Sequence, residues 1–336
     1  MSAKIKPSQG ARYARILGVG GYRPTRVVPN EEILRYIDSS DEWIRSRSGI
    51  VTRHWAGPDE TVAEMSVEAA GKAIADAGLA PEDIGAVIVA TVSHFKQTPA
   101  VATEIAHRVG AGTPPAFDIS AGCAGFTYGL SLAKGMVTDG SARYVLVIGV
   151  ERLSDLTDKE DRATAFLFGD GAGAVVVGPS DEPAIGPVIW GSEGDKAETI
   201  KQTLPWDVYR EGRPDEVRFP AITQEGQAVF RWAVFEMAKV AQQALDAAGV
   251  TADQLDAFIP HQANMRIIDS MIKALKLPEH VAVARDIETT GNTSSASIPL
   301  AMERLLATGQ ARSGDTALVI GFGAGLVFAA SVVTLP

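Results

Sequence analysis

The sequence predicts an α/β protein made of two similar halves. Residues 73–88 resemble residues 244–259 at a constant offset of 171 positions, about half of the 336-residue chain. The strand-like run VLVIG at 145–149 also returns as ALVIG at 317–321. In both halves, short apolar runs alternate with helical patterns, which is typical of α/β folds. Two such halves usually pack around a pseudo-twofold axis, so we expect turns at matching positions to meet there and form the functional site.

Strands and helices can be placed from their composition and ends. Nearly unbroken apolar runs at 86–91, 143–149, 172–178 and 316–321 predict strands that are buried on both faces. Helical spacing over 62–77 and 225–248 stops in each case at a glycine, a favoured residue after a helix end. The alternation predicts right-handed crossovers and a mostly parallel sheet in each half. We assign residues 1–180 to one half and 181–336 to the other.

Two segments have no counterpart in the other half. Residues 190–222 are rich in glycine, proline and charge, which favours a surface excursion near the site. Residues 30–55 contain a short predicted helix, with Ser40 as its N-cap and two acidic residues in its first turn.

Composition excludes several classes of function. A net charge of −10 argues against nucleic acid as the main partner, because phosphate binding needs a basic surface. A single cysteine excludes an internal disulfide, and no Cys/His cluster has zinc spacing, so we expect no metal. Residues 316–333 are uncharged but interrupted by three glycines, which predicts two buried strands rather than a membrane span. Residues 1–15 are polar without an apolar signal core, so we expect a cytoplasmic protein.

Cys123 is the candidate nucleophile. A predicted strand at 115–120 runs into a helix that starts near Cys123 and ends by Gly140, with small residues on both sides of the cysteine. Free amides at a helix start can lower the pKa of a thiol and bind an oxyanion. A lone cysteine is more often a small buried apolar residue. The tight elbow, and a Gly-Asn-Thr turn at the matching position of the other half, favour the catalytic interpretation.

His261 and Asn292 are the candidate partners of that cysteine. His261 follows the predicted strand 257–259, and the carboxyl ends of strands are where α/β sheets place ligands. Asn292 lies between a glycine and a threonine, where it alone would be read as a turn or capping residue. Together the three suggest a thiol nucleophile with two neutral hydrogen-bond donors.

Five motifs resemble those of one enzyme family along essentially the whole chain. They are DEWI at 41–44, GCAG at 122–125, FGDGAGA at 168–174, PHQAN at 260–264 and GNTSSAS at 291–297. The family is β-ketoacyl-acyl-carrier-protein synthase III, which begins type II fatty-acid synthesis. The resemblance implies a thiolase-like fold, with the duplicated halves in a five-layered αβαβα arrangement. Thiolases have a second cysteine, elongating synthases have a second histidine in place of Asn292, and chalcone-type synthases lack the DEWI region.

The resemblance implies a decarboxylative condensation. An acyl-CoA primer would acylate Cys123, and His261 and Asn292 would then hold the thioester carbonyl of malonyl-acyl-carrier protein while CO₂ leaves. The resulting carbanion would attack the acyl-cysteine, whose oxyanion the amides of Cys123 and Ala324 would bind. Ala324 departs from the three glycines common in the family. No permanent cofactor is implied, because coenzyme A thioesters are substrates.

The resemblance also assigns substrate-binding residues. The positions matching coenzyme A contacts are Trp43, Arg47, Arg162, Gly226 and Asn264. Carrier-protein docking maps to Arg231, Arg266 and Lys273. Phe230 would line the acyl tunnel, and Thr98 of a neighbouring subunit in a homodimer would close it. Because Thr98 is small, we predict that branched four- or five-carbon primers are accepted beside acetyl.

Three alternatives stay open on the sequence alone. A thioester hydrolase or plain acyltransferase would use His261 as a base but would leave Asn292 with little to do. A redox sensor on an acyl-binding scaffold would use Cys123 without catalysis. A starter synthase of a polyketide pathway would share every motif named above.

Overall fold

The computed structural model describes residues 4–212 and 218–336, which form fourteen strands and ten α-helices. The strands are β1 (Tyr13–Tyr22), β2 (Arg26–Pro29), β3 (Thr52–Trp55), β4 (Ala86–Ala90), β5 (Ala116–Ile119), β6 (Val145–Arg152), β7 (Asp170–Ser180), β8 (Ile189–Ser192), β9 (Ile200–Gln202), β10 (Ile222–Gln224), β11 (Ala257–Pro260), β12 (Ala282–Val283), β13 (Thr316–Gly323) and β14 (Val327–Thr334). The helices are α1 (Asn30–Ile33), α2 (Asp41–Ser48), α3 (Val62–Asp76), α4 (Val101–Val109), α5 (Gly125–Asp139), α6 (Trp206–Glu211), α7 (Gly226–Ala248), α8 (Met265–Leu275), α9 (Ile287–Thr290) and α10 (Ser297–Ala307).

The two large sheets repeat one topology. The first has the order β5-β4-β6-β7-β1 and the second β12-β11-β13-β14-β8, so each strand of one sheet has a counterpart in the other. The internal similarity of the sequence therefore reflects a duplicated fold. The assigned boundary between residues 180 and 181 stays a prediction.

The expectation of a mostly parallel sheet in each half is confirmed for strand direction, because four of the five strands in each sheet run the same way and one is reversed. In the first sheet β4 pairs in parallel with β5 and β6, but β7 is antiparallel to both β6 and β1. In the second sheet β11 is parallel to β12 and β13, whereas β14 is antiparallel to β13 and β8. A three-residue turn joins β13 to β14, and such a short connection reverses the chain without a crossover helix.

Helices complete a five-layered αβαβα arrangement. Helices α5 and α10 pack between the two sheets, α3 and α4 cover the outer face of the first, and α7 and α8 cover that of the second. The central core joins residues of both sheets through these inner helices, for example Ile88, Leu130, Ile259, Met302 and Val319. The predicted thiolase-like fold class is confirmed.

The segments without a counterpart flank this double sheet. In α2, the Ser40 hydroxyl accepts a hydrogen bond from the Trp43 N–H at 3.1 Å, as a capping residue does. The segment 190–222 contributes β9, α6 and the first residue of β10, and its residues 213–217 lie outside the described residues. Residues 316–333 form the two buried strands that were predicted. No helix within the described ranges is long and apolar enough to cross a membrane.

Candidate active site

A cavity of about 1700 Å³ brings together the three residues that the sequence singled out. Cys123, His261 and Asn292 all line it, although they lie on different turns of the two halves. The turn between β13 and β14 closes the same region with Gly323 and Ala324. Residues from both halves therefore share one enclosed space, at the place where the duplication suggested that matching turns would meet.

The Cys123 elbow is a short 3₁₀ turn (Gly122–Ala124) between β5 and α5. Gly122 has φ +47°, a left-handed conformation that favours glycine. Gly323 packs so closely that a Cβ placed on it would lie 2.8 Å from the thiol sulfur, a distance that real side chains do not adopt. The two turns therefore fix the thiol beside the backbone of residues 323 and 324, where Cys123 and Ala324 were predicted to supply oxyanion donors.

The predicted lowering of the Cys123 pKa was wrong. Burial raises the pKa of this thiol to about 12, because enclosure in protein penalises the charged thiolate. A hydrogen bond with the Ser294 side chain and the backbone N–H of the cysteine favour the thiolate, but they offset only part of the effect. The Glu151 carboxylate raises the pKa further. The thiol is therefore protonated at neutral pH and has to lose its proton when it reacts.

His261 is buried at the end of β11 and is held as a neutral imidazole. Burial lowers its pKa to about 3. Its Nδ1 lies 2.7 Å from the Ser297 hydroxyl oxygen, which itself accepts a hydrogen bond from the Gln262 N–H at 3.3 Å. Because this oxygen already accepts one N–H, the arrangement favours donation of the serine proton to Nδ1, which would leave the histidine proton on Nε2, where it can be donated to a substrate. The Phe322 ring packs edge-on, with the ring centroids 5.3 Å apart.

Asn292 presents an amide donor from a fixed turn. Its side-chain oxygen accepts the Ser294 N–H at 2.8 Å, which orients the remaining NH₂ group. Its backbone N–H donates to Leu167 and its carbonyl accepts from Gly169, at 2.8 and 3.0 Å. The predicted turn residue is thus a rigid part of the cavity wall, and it lines the same cavity as His261.

The opening of the cavity carries the predicted coenzyme A contacts. The guanidinium carbons of Arg47 and Arg162 lie 5.9 and 5.1 Å from the centre of the Trp43 ring. Asn264 donates from its side chain to the Arg47 carbonyl at 2.9 Å, which ties α8 to α2. Gly226, at the start of α7, also lines the cavity and has open space where a side chain would stand.

The other predicted residues lie at or outside this opening. Phe230 lines the cavity beneath the Arg266 guanidinium, whose carbon lies 4.7 Å from the ring centre. Arg231 is exposed on the rim, and Lys273 is exposed farther along α8. Among the described residues that line the cavity, Arg162, Thr98 and Lys273 are absent. Thr98 is exposed on the chain's own surface, and its role at a neighbouring subunit stays a prediction.

Comparison with known proteins identifies the family. Models described as 3-oxoacyl-[acyl-carrier-protein] synthase III match residues 117–194, and those for its C-terminal part match residues 245–335. The chain is 80% identical to β-ketoacyl-[acyl-carrier-protein] synthase III 1 of Streptomyces coelicolor, over 99% of this chain and 100% of the relative. The chain belongs to the 3-oxoacyl-acyl-carrier-protein synthase III family.

Two further similarities support that assignment. The chain is 81% identical to the synthase III of Streptomyces glaucescens, over 99% of this chain and all of the relative. The crystal structure of the priming β-ketosynthase from the R1128 polyketide biosynthetic pathway superposes with a TM-score of 0.95, at 47% identity over 100% of this chain and 99% of that one. The resemblance seen in the motifs is confirmed, and the chain is a condensing, acyl-transferring enzyme of fatty-acid biosynthesis.

Several residues of this synthase site were not found from the sequence. They are Glu151, Ser294, Ser297 and Phe322, and all of them lie close to the three singled-out side chains. Glu151 had a signal, because it is an acidic residue at the end of the otherwise apolar strand β6. Ser294 and Ser297 lie in the GNTSSAS motif, but the sequence assigned them no role, because serine is ordinary in a turn and their contacts depend on tertiary packing. Among residues 4–212 and 218–336, no group of His, Cys, Asp or Glu is arranged to hold a metal ion.

Proposed function

We propose that the chain catalyses the condensation of an acyl-CoA primer with malonyl-acyl-carrier protein through an acyl-thioester on Cys123. The product is a β-ketoacyl-carrier protein, with coenzyme A and CO₂ released. The observation that carries this assignment is the shared cavity, which is lined by one thiol from the first half of the molecule and by two neutral side chains, His261 and Asn292, from the other half.

Acylation is the first step. The Cys123 sulfur attacks the thioester carbonyl, and the oxygen that becomes negative lies against the elbow and the 323–325 turn. Backbone amides of Cys123 and Ala324 act as its donors, which suits a dry site in which fixed dipoles stabilise a developing charge strongly. The alanine side chain leaves its N–H in place, so the departure from three glycines does not remove the donor.

Decarboxylation is the second step. As malonate loses CO₂, negative charge moves onto the thioester oxygen, and His261 Nε2–H and the Asn292 NH₂ donate hydrogen bonds to it. Donors that strengthen as charge develops accelerate the step more than they stabilise the bound substrate. Loss of one such donor costs about 3 kcal/mol of transition-state stabilisation in comparable sites. The carbanion then attacks the acyl-cysteine and releases the thiol.

Substrate binding is assigned to the opening. Trp43 offers a face for the adenine ring, while Arg47 and Arg162 supply charge for phosphates. The chain is acidic overall, as carrier proteins are, so a local basic surface has to guide docking. Arg231, Arg266 and Lys273, which are all exposed near the opening, form that surface in the proposal.

Primer choice and assembly complete the proposal. The enzyme acts as a cytoplasmic homodimer, and Thr98 of one subunit limits the acyl pocket of the other. The small side chain leaves room for branched four- or five-carbon acyl groups. A panel of acyl-CoAs tests this directly: branched primers should turn over at rates comparable to acetyl, and a steep fall for every primer beyond acetyl would contradict it.

The decisive experiment for the reaction follows CO₂. Acyl-enzyme is prepared with acyl-CoA, freed of excess reagent and mixed with malonyl-carrier protein. A condensing enzyme releases one CO₂ for each acyl group lost and forms the β-ketoacyl product. A hydrolase would instead release the free acid without CO₂, and Cys123→Ser would keep full activity if the cysteine were only a redox sensor.

A polyketide starter function is the second candidate. It is favoured by the 0.95 TM-score to the R1128 priming ketosynthase, although that enzyme is less similar in sequence than the Streptomyces synthases. Parallel assays with fatty-acid and polyketide carrier proteins distinguish the two. A preference for the fatty-acid carrier supports the first function, and a preference for the polyketide carrier supports the second.

A further inference from the structure

Glu151 is a buried carboxyl group that the steps above do not use. It stands at the end of β6, after a run of apolar residues, and its side chain has no solvent exposure. Charged side chains are almost never fully buried unless they are paired. A full burial next to the reacting thiol therefore calls for an explanation beyond packing.

The partners of Glu151 within the described residues are all neutral donors. The Ser93 hydroxyl donates at 2.6 Å and the Val92 N–H at 3.2 Å, both to Oε2. The Ser295 hydroxyl oxygen lies 3.2 Å from Oε1 and shares its proton with the Ala90 carbonyl oxygen at 2.8 Å, and the Thr91 hydroxyl donates to Oε2 at 3.4 Å. The adjacent basic residue, Arg152, pairs with Asp155 instead.

In this buried, uncharged environment, the Glu151 carboxyl group can gain or lose a proton near neutral pH. Burial raises the pKa of its carboxyl to about 7, and the hydrogen bonds from Ser93, Val92, Ser295 and Thr91 prevent a larger rise. Groups with a pKa near the working pH are efficient proton acceptors and donors.

Ser294 lies between this carboxyl and the thiol. Its side chain forms a hydrogen bond with Cys123, and its hydroxyl oxygen lies 3.4 Å from Glu151 Oε1. Because the hydroxyl has one proton, it can donate to Glu151 while it accepts the S–H of the neutral thiol, and it donates to the sulfur once the thiolate has formed. The Ser294 backbone has φ +48°, a left-handed conformation that is uncommon for a residue other than glycine. The Asn292 side chain fixes this conformation by accepting the Ser294 N–H at 2.8 Å. The strained turn thus aims one hydroxyl at both groups.

The remaining candidate for a proton acceptor is already engaged. The imidazole of His261 receives the Ser297 hydroxyl at Nδ1 and needs the proton on Nε2 to donate to the malonyl carbonyl. Cys123 nevertheless has to lose a proton in the acylation step and regain one after condensation. A separate acceptor would let His261 keep one tautomer throughout the cycle.

We infer that Glu151 accepts the proton of Cys123 through the Ser294 hydroxyl during acylation and returns it when the thiol is released. This inference rests on the proposed function, because it concerns the same nucleophile. In acylation the S–H proton passes to Ser294 Oγ while the serine proton passes to the Glu151 carboxylate. The sulfur bonds to the acyl carbon, the bond to coenzyme A breaks, and coenzyme A leaves as a thiolate that takes its proton from water.

The second half of the cycle restores the starting state. Malonyl-carrier protein loses CO₂, its carbanion bonds to the acyl carbon, and the bond from that carbon to Cys123 breaks. The cysteine thiolate takes a proton from Ser294, which is replenished from the Glu151 carboxyl group. Over one turnover Glu151 and Ser294 end as they began, and one proton from water is consumed with the departing coenzyme A.

The test measures single-turnover acylation by an acyl-CoA between pH 6 and 9, followed by intact mass. The variants Glu151→Gln and Ser294→Ala should each acylate about 100-fold more slowly at pH 7, in the range of general-base catalysis. The deficit should shrink as pH rises, since hydroxide replaces the missing acceptor. The double variant should be no slower than either single variant, because both interrupt one path.

A matched control variant, and a competing explanation that predicts faster instead of slower acylation, make the test decisive. Ser295→Ala removes a hydroxyl that touches the same carboxyl without being part of the path, and it should keep most of the acylation rate. If Glu151 acted only through its charge, Glu151→Gln would make the thiol more acidic and acylation faster. Acylation of Glu151→Gln at or above the wild-type rate, or an equal deficit at every pH, would overturn the inference.

Two further measurements keep the test informative if a variant does not fold or if the proposed function is wrong. Should Glu151→Gln fail to fold, Ser294→Ala decides alone, and a wild-type rate for it would overturn the relay. Failure of the proposed function is seen separately, because the wild-type enzyme would then form no acyl-cysteine or release no CO₂ with malonyl-carrier protein. Wild-type activity with unimpaired variants rejects the relay only.

Discussion

The floor and the opening of the cavity differ in charge and burial. The floor consists of Cys123, His261, Asn292 and Gly323, and its histidine and asparagine are buried, neutral and fixed by short hydrogen bonds. The opening is cationic: Arg47 and Arg266 line it and are exposed, and the half-buried rings of Trp43 and Phe230 lie against them. Arg162 is exposed beside Trp43, outside the cavity lining. The reaction develops negative charge at the floor, yet no cation is among these floor residues.

The difference shows how the two regions act on a substrate. Neutral donors held in a dry site gain strength only as charge appears, so they favour the transition state over the bound substrate. Exposed arginines attract phosphates before and after the reaction alike and are weakened by salt. Changes at the floor should therefore alter rate constants, whereas changes at the opening should alter apparent affinity.

The largest effect is expected for Asn292→Ala. Loss of this donor should lower the condensation rate about 10²- to 10³-fold, whereas acylation of Cys123 should change only a few-fold. Rapid-mix measurement of CO₂ release and of acyl-enzyme separates the two steps. Gln310→Ala, which removes an exposed amide elsewhere, serves as the control. Equal loss in both steps would show that Asn292 supports the nucleophile instead of the enolate.

The buried histidine should make stability depend on pH. The folded pKa of His261 is lowered to about 3 from 6.5, so between these values the unfolded chain binds a proton that the folded chain does not. Its contribution to the free energy of unfolding therefore rises from pH 4 to pH 7, by about 3 kcal/mol. Urea unfolding of wild type and His261→Gln should show that difference, and His280→Gln, at an exposed histidine, should not. An unchanged difference between pH 4 and 7 would mean that the imidazole titrates freely.

Gly323→Ala probes the contact between the two turns. The added methyl would meet the Cys123 sulfur, so the thiol or the turn has to shift and acylation should slow about 100-fold. Gly71→Ala makes the same chemical change where nothing lies within 4 Å and should leave activity intact. Single-turnover acylation measures both. Wild-type acylation by Gly323→Ala would place the thiol elsewhere in the cavity.

The smallest effect belongs to the opening. Arg162→Ala should raise KM for acyl-CoA about five- to tenfold with little change in kcat, because it removes binding common to substrate and transition state. The loss should diminish at high salt. Arg12→Ala, an exposed arginine away from the cavity, is the control. A fall in kcat without a change in KM would assign Arg162 to the chemistry.

Much of this fold could be predicted because buried strands consist of apolar residues and helix ends are marked by glycines. The strands β4, β6 and β13 consist largely of apolar residues. Helix α7 ends at residue 248, as predicted, and helix α3 ends at residue 76, one residue before the predicted end. Strand direction could not be predicted from composition, because the reversed strands β7 and β14 are about as apolar as the strands beside them. Their reversal follows from how the chain connects them.

The site was predictable in its nucleophile and donors but not in their ionisation. Small residues around Cys123 and the turn at Asn292 mark the elbow and its partner in the sequence. The direction of the thiol pKa depends on how completely the other half encloses Cys123, and on a serine and a glutamate distant in the chain. Helix-start amides alone suggested a lowered value, and burial outweighs them.

Intact-mass analysis of the acyl-enzyme tests the central claim most directly. Wild-type protein mixed with acyl-CoA should gain one acyl mass on the peptide that contains Cys123, and Cys123→Ala should gain none. Arg162→Ala should reach the same full acylation at higher acyl-CoA concentration, because the opening only binds. An acyl group on another residue, or full acylation of Cys123→Ala, would contradict the assignment of covalent chemistry to the floor.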